Sequence, residues 1–233
     1  MKDVSPWLLL VVTLTFGIAP IVTPPFTGYD PGMFPVFVDR PYIQPAGYAF
    51  SIWGLIYLAL IAHALFGAIW RRDDPDWARV RAPMILSLSL GTAWLKVATM
   101  DPLLATIGIW AMLLSALYAL LRADPAHDRW LLIAPIAIYA GWLTAAAAVS
   151  LGVLLAGYGW MTNTVMTLVM LALVLAIAIV IQTRKRGVLE YGATVIWALI
   201  GVIVVNWGDA QTMSYAAMAG IGVMALTMAV SRS

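Results

Sequence analysis

Two runs of side chains in this sequence have the types and spacing to hold a flat apolar molecule. Phe50, Trp53 and Tyr57 recur at i, i+3 and i+7, so a helix carries them on one stripe. Pro45 and Gly47 stand just ahead of them, where a helix would begin. Pro135, Tyr139, Trp142, Ala146 and Ser150 fall within a second narrow stripe at about 100° per residue, and the alanines at 145–148 beside it let a neighbouring helix approach closely. Each stripe has two readings: one wall of an aromatic ligand pocket, or helix packing with an aromatic belt at a membrane interface. On residue types alone, packing is the more frequent role.

The isolated polar residues carry less. His63 is either an axial ligand to a haem or chlorin or, as buried histidines more often are, packed against a backbone carbonyl. It lies off the Phe50/Trp53/Tyr57 stripe and shares a face with Phe66 and Trp70. Lys96 is an ionisable group inside an apolar run. It either snorkels outward past Asp101 or meets a ligand carboxylate. His127, among Arg122, Asp124, Asp128 and Arg129, reads as a solvated loop residue, and Asn206 and Asp209 stand where they would border the same mouth as the stripes. The chain has no cysteine and two histidines, which excludes thiolate chemistry and a multi-histidine metal centre. It shows no intramembrane acid pair, no Ser/His arrangement and no phosphate loop, so an enzyme is not expected. Ion-coupled transport is disfavoured for want of ionisable groups at midplane, whereas passive carriage of a hydrophobic molecule stays open.

The elements that position these residues follow from composition. The 233 residues are 63% hydrophobic and 10% charged, with mean hydropathy +0.93. Soluble domains run at roughly 45–50% apolar and about 25% charged. A soluble enzyme, a nucleic-acid binder and a disordered chain are excluded, and the class is an all-α, polytopic membrane bundle. Eight apolar runs of sufficient length occupy roughly 7–23, 46–70, 83–100, 102–121, 130–156, 159–182, 190–207 and 212–230. The first reads as a retained helix, because it ends in Pro20, Pro24 and Pro25 in place of a small-x-small cleavage site.

Eight crossings put both termini on one side. That side then receives Lys2, Arg71, Arg72, Arg79, Arg81, Arg122, Arg129, Arg184, Lys185, Arg186 and Arg232, while the other receives Arg40 with Asp30, Asp39, Asp101 and Asp209. Seven crossings would scatter the basic loops over both faces. The positive-inside rule therefore predicts cytoplasmic N and C termini. The longest connection, 24–45, is rich in proline, glycine and aromatics and falls on the outer side. It is expected either to cap the bundle as an ordered segment over spans two and five, or to seat aromatics at the interface.

The residues Pro45, Gly47, Phe50, Trp53 and Tyr57 resemble the Pro-Pro-Gly-Trp-x-Phe…Trp-x-x-x-Tyr signature of the TspO/MBR family, the tryptophan-rich sensory or translocator-protein-like proteins. Ala46 replaces the second proline, Tyr48 replaces the tryptophan, and the Phe-to-Trp spacing is one residue shorter. Tyr139, Trp142 and Ala146 are similar to the family's Tyr-x-x-Trp…Ala…Asn pattern, with Ser150 in the place of the asparagine. Trp94 matches in span three, where Gly91 replaces another asparagine. Eleven tryptophans in an almost charge-free chain fit the family name. The resemblance covers roughly 1–156, and Glu190, Tyr191 and residues 195–199 look like the end of a longer bacterial branch.

The resemblance implies a five-helix core over 1–156, with its outer loop 24–45, and three additional helices over 157–233. It implies a pocket for a porphyrin or other tetrapyrrole, or in some members a sterol, formed by Pro45, Gly47, Phe50, Trp53, Tyr57, Trp94, Tyr139, Trp142, Ala146 and Ser150, with His63 and Lys96 as further candidates. No resident cofactor is required. Beyond the lipid bilayer, the expected partners are a hydrophobic ligand and a second copy or larger complex, in a bacterial inner membrane. The alternative is an accessory or assembly subunit of a membrane pigment–protein complex; modification of a tetrapyrrole ranks third.

Overall fold

Acids and prolines set where several helices begin. The computed structural model describes residues 3–23, 26, 28–124 and 126–232. In it, Asp74 accepts from the backbone N–H groups of Asp76 (2.9 Å) and Trp77 (3.4 Å) and opens α3 (Pro75–Ala98). Asp101 accepts from the Leu104 N–H at 3.0 Å and opens α4 (Pro102–Arg122). In both, proline takes a first-turn position whose N–H has no helical partner in any case. Thr162 caps α6 (Asn163–Arg184). The other helices are α1 (Ser5–Val22), α2 (Ile52–Trp70), α5 (Ala134–Gly157), α7 (Leu189–Asn206) and α8 (Gln211–Val230). A 3₁₀ turn, Gly47–Ser51, leads into α2, and a π turn, Arg129–Ile133, leads into α5.

The described residues thus form the eight helices expected from the sequence; α2 and α5 are entered through the 3₁₀ and π turns that begin near the expected places, and two other starts are shifted. α3 begins at Pro75 and not near 83, because Asp74 caps it and Pro83 sits inside the helix without stopping it. α6 begins four residues later than expected, behind its Thr162 cap. Among the described residues, seven helical segments are long and apolar enough to cross a membrane; α3 is not among them. Its early turns carry Asp76, Arg79 and Arg81. It nevertheless pairs antiparallel with α4. Ser87 Oγ donates to the Met112 carbonyl at 2.9 Å, and Trp94 Nε1 donates to the Ala105 carbonyl at 2.8 Å, so the partners step in opposite directions along the two helices.

The ends of the bundle differ in charge. At one end Arg81 holds Asp3 at 3.0 Å and the Arg71 and Arg72 carbonyls at 2.7 Å. Arg129 pairs with Glu190 at 3.0 Å, Lys185 donates to the Ala123 carbonyl, and the Gly187 N–H donates to the Ser231 carbonyl at 2.8 Å. Residues 3 and 231 therefore lie at the same end. Arg71 grips Asp128 through two bonds, Nε to Oδ2 at 2.7 Å and Nη2 to Oδ1 at 3.2 Å, and the Trp77 indole donates to Oδ2 at 2.9 Å. The Arg71 bond, with help from Trp77, holds the Asp128 carboxyl below its ordinary 3.8. Asp128 takes φ 42°, a left-handed conformation that aspartate tolerates better than most residues.

α5 runs through the centre, buried on nearly every face and in contact with α2, α4, α6 and α7. Small residues make this approach close. A Cβ at Gly141 would lie 2.7 Å from the Tyr191 carbonyl of α7, so only glycine fits there.

Candidate functional site: an aromatic cavity

Between α1, α2, α3, α4 and α5 lies a cavity of about 340 Å³. Its α2 side is a pair, Trp53 and Tyr57, stacked with centroids 5.4 Å apart and planes at 20°. Its α5 side is Trp142, which meets Phe50 edge to face at 5.6 Å, followed one and two turns on by Ala146 and Ser150. Phe16 of α1 leans its edge on Trp53 (6.0 Å), Tyr57 (5.3 Å) and Tyr139 (5.9 Å). No Asp, Glu, Lys, Arg or His is among the described lining residues, and α6, α7 and α8 contribute none of them.

The connection between α1 and α2 closes the far end. Phe26, Gly28, Tyr29, Gln44 and Pro45 line the cavity from above; Pro24, Pro25 and Thr27 lie outside the described residues. Phe26 packs edge to face on Trp94 at 5.1 Å and on Tyr29 at 5.5 Å. Gly28 takes φ 132°, which a side chain would strain. Beyond the cavity the segment is stapled to the helices: the Val36 N–H donates to the Gly157 carbonyl at 2.9 Å and the Ala46 N–H to the Gly201 carbonyl at 3.0 Å. Its described residues from Gly28 to Ala46 thus form a strap fixed to α5 and α7.

Besides Tyr57, Gln44 and the indoles of Trp53 and Trp142, the polar groups include a line of hydroxyls that runs from the wall to Thr106 behind it. Tyr29 OH lies 2.6 Å from Ser150 Oγ, Ser150 Oγ lies 2.8 Å from Thr106 Oγ1, and Thr106 donates to the Pro102 carbonyl at 2.7 Å. Ser150 and Thr106 are buried. Burial raises the Tyr29 hydroxyl pKa, against the pull of its bonds to Ser150 and Thr106, so Tyr29 stays protonated at ordinary pH.

Of the residues singled out from the sequence, Pro45, Phe50, Trp53, Tyr57, Trp94, Trp142, Ala146 and Ser150 come together around this cavity. Pro135, Asn206 and Asp209 are not in its wall, and neither are four of the proposed ligand residues. Tyr139 is fully buried behind Phe16, its hydroxyl 3.0 Å from Ser87 Oγ. Gly47 begins the 3₁₀ turn ahead of α2. His63 lies 2.8 Å from the Leu131 carbonyl through Nδ1 and stacks on Trp77 at 4.8 Å, one of the packed arrangements expected of it. Lys96 is exposed in the last turn of α3. Phe16, Phe26, Tyr29, Thr106 and Met112 were not singled out. Position 91, where the family resemblance expects asparagine, is filled from α1: a Cβ there would lie 2.5 Å from Phe16 Cε2.

No curated protein and no solved structure shows significant similarity to the chain. The model of one family, described as TSPO-like protein, matches residues 8–230. That match enters in α1 and leaves at the last residue of α8, so it takes in the cavity, the strap and the three helices beyond them alike, and the chain belongs to the family of TSPO-like proteins.

Proposed function

We propose that this chain is an integral membrane binding and sensory protein for a hydrophobic, planar ligand of the tetrapyrrole or sterol/carotenoid kind. One observation carries the reading: a cavity within the helices whose walls are aromatic on two facing sides and whose described lining holds no charged side chain. Ligand sites span roughly 300–1,000 Å³ and are mostly apolar with a few placed polar groups. At about 340 Å³ this one lies at the small end. A macrocycle bearing carboxylates would insert an apolar edge and keep its charges at the strap, since leaving a carboxylate unpaired inside would be costly.

Capture fits this wall better than turnover. Its polar groups are hydroxyls, an amide and indole N–H groups, and no acid–base pair faces the space. The proposed setting is a bacterial inner membrane, with the basic end in the cytoplasm and the strap outside.

The test is an absorption spectrum of the gently purified protein followed by titration with protoporphyrin, read as quenching of tryptophan fluorescence. A co-purified chromophore or saturable quenching supports the reading. Non-saturable quenching together with persistent co-purification of other membrane subunits would replace it with an assembly role.

A further inference from the structure

The basic end of the bundle has two halves that differ in how their charges are met. On the side of α1, α2, α3 and the start of α5, every described arginine has an acid. Arg71 holds Asp128 at 2.7 Å, Arg79 holds Asp76 at 2.7 Å, Arg81 holds Asp3 at 3.0 Å, Arg129 holds Glu190 at 3.0 Å, and Arg72 lies 3.8 Å from Asp73.

Along the edge formed by α4, α6 and α8 such pairs are missing. Arg122 ends α4, Arg184 ends α6, Lys185 and Arg186 follow it, and Arg232 follows α8. Two bonds gather these ends. Lys185 donates to the Ala123 carbonyl, next to Arg122, and the Gly187 N–H donates to the Ser231 carbonyl, next to Arg232. Arg122, Arg184, Arg186 and Arg232 are exposed, and none of them has an ion pair or a side-chain hydrogen bond among the described residues. Five cations thus stand with one acid, Asp124, a surplus of four charges. The C-termini of α4, α6 and α8 point the same way, and at about half a negative charge each they offset fewer than two of the four. The remainder is open to an anion from outside the chain.

What lies beside the arginines sets the chemistry of that anion. Leu121, Val180, Leu226 and Val230 are exposed within two turns of them, on the surface that faces lipid. The Arg122 guanidinium lies over the half-exposed Tyr118 ring at 5.6 Å, as a cation above an interfacial aromatic does. A ligand of this edge has an anionic head and an apolar body. We infer that the α4–α6–α8 edge docks the headgroup of an anionic phospholipid, whose chains lie along the exposed aliphatic side chains, and that the neutralised half of the same end does not. This surface stands apart from the aromatic cavity and does not depend on it. A basic residue at an anionic lipid surface contributes roughly fivefold in binding.

The test counts lipids retained by the full-length protein in native mass spectrometry, with phosphatidylglycerol titrated against phosphatidylcholine of the same chains. Two variants each remove two positive charges from the same end: Arg122→Gln/Arg184→Gln on the proposed edge and Arg72→Gln/Arg79→Gln on the neutralised half. The wild type is expected to hold phosphatidylglycerol at least about fivefold tighter than phosphatidylcholine. The first variant loses that preference, the second keeps it, and Arg122→Lys/Arg184→Lys retains it; circular dichroism confirms the fold of each. Glycerol phosphate at millimolar excess does not displace the lipid. Equal retention of the two lipids by the wild type, or an equal loss in both glutamine variants, overturns the inference, the latter by making net charge alone responsible. Displacement by glycerol phosphate also overturns it, because the site would then take a free phosphate.

Discussion

Trp53 on α2 and Trp142 on α5 meet edge to face, with ring centroids 6.3 Å apart and planes at 82°. Two indoles set this way prop the helices apart, whereas interleaved aliphatic side chains would close the gap. A flat molecule entering there exchanges an edge contact for a face contact and buries its own apolar area, at about 25 cal/mol per Å² before ordering costs.

Trp142→Ala is therefore expected to weaken porphyrin binding at least about tenfold, through lost contact area and a stacking contribution of roughly 0.5–1.5 kcal/mol. Fluorescence quenching during a porphyrin titration measures it, with circular dichroism confirming the helical fold. Wild-type affinity in this variant would place the ligand elsewhere.

His63→Ala separates ligation from packing. The side chain is buried against Leu131 and Trp77 and does not line the cavity. Its removal is expected to leave porphyrin affinity unchanged and to lower stability by about 2–3 kcal/mol, in the range for truncating a buried side chain. A folded His63→Ala protein that has lost haem binding would make this residue an axial ligand after all.

The helices were legible in the sequence because each long apolar run is followed within two residues by a charged residue, a glycine or a proline. The early turns of α3 were not. Asp76, Arg79 and Arg81 look like a loop, and Pro83 looks like a start, until Asp74 is seen capping the helix. Within the site, periodicity found Trp142, Ala146 and Ser150 but also took in Tyr139, which turns to Ser87 one turn below. Phe16, Phe26, Tyr29 and Thr106 come from three separate segments: α1, the strap and α4. No spacing along the chain shows that they meet, since only the packing of α1 and the strap onto α3, α4 and α5 brings them together.

Orientation follows from the two ends. Arg71, Arg81, Arg129 and Lys185 gather at the end that also holds residues 3 and 231. Reporter fusions at the C terminus and in the connection between α2 and α3 are both expected to report the cytoplasm. A periplasmic signal from either would overturn the orientation or the number of crossings.

Acid is expected to loosen the same end. The Arg71 and Trp77 bonds favour the ionised form of Asp128, so its folded value lies below the unfolded value of 3.8. The stabilisation is complete above that value and is lost as the pH falls past it and through the folded one. The melting temperature should hold from neutral pH down to about 4 and then decline, to the extent that Asp128 governs it. Asp128→Asn keeps the shape and the left-handed backbone, melts lower at pH 7 and shows a shallower acid decline. An unchanged acid limb in that variant would assign the decline to other carboxylates.

Two side-chain amides outside the cavity hold its roof. Asn163, at the start of α6, accepts the Tyr42 N–H at 3.0 Å and donates to the Arg40 carbonyl at 2.9 Å. Asn206, at the end of α7, donates to the Tyr42 carbonyl at 2.7 Å and to the Val202 carbonyl at 2.8 Å. α6 and α7 line none of the cavity, yet they clamp the strap that closes it. Asn206→Ala leaves the Tyr42 carbonyl without its amide donor, at a cost of roughly 1–3 kcal/mol that falls on the strap while the packed helices keep their contacts. Chymotrypsin added from the outer side reports it at Phe37, which is 71% exposed but flanked by the bonds at Val36 and Tyr42. Cleavage is slow in the wild type, faster in Asn206→Ala and fastest in the Asn163→Ala/Asn206→Ala double variant, and bound protoporphyrin dissociates faster in the same order. Cleavage and dissociation rates that match the wild type in the double variant would leave the strap held by the Tyr29–Ser150, Val36–Gly157 and Ala46–Gly201 bonds, and the two amides without a part in closing the cavity.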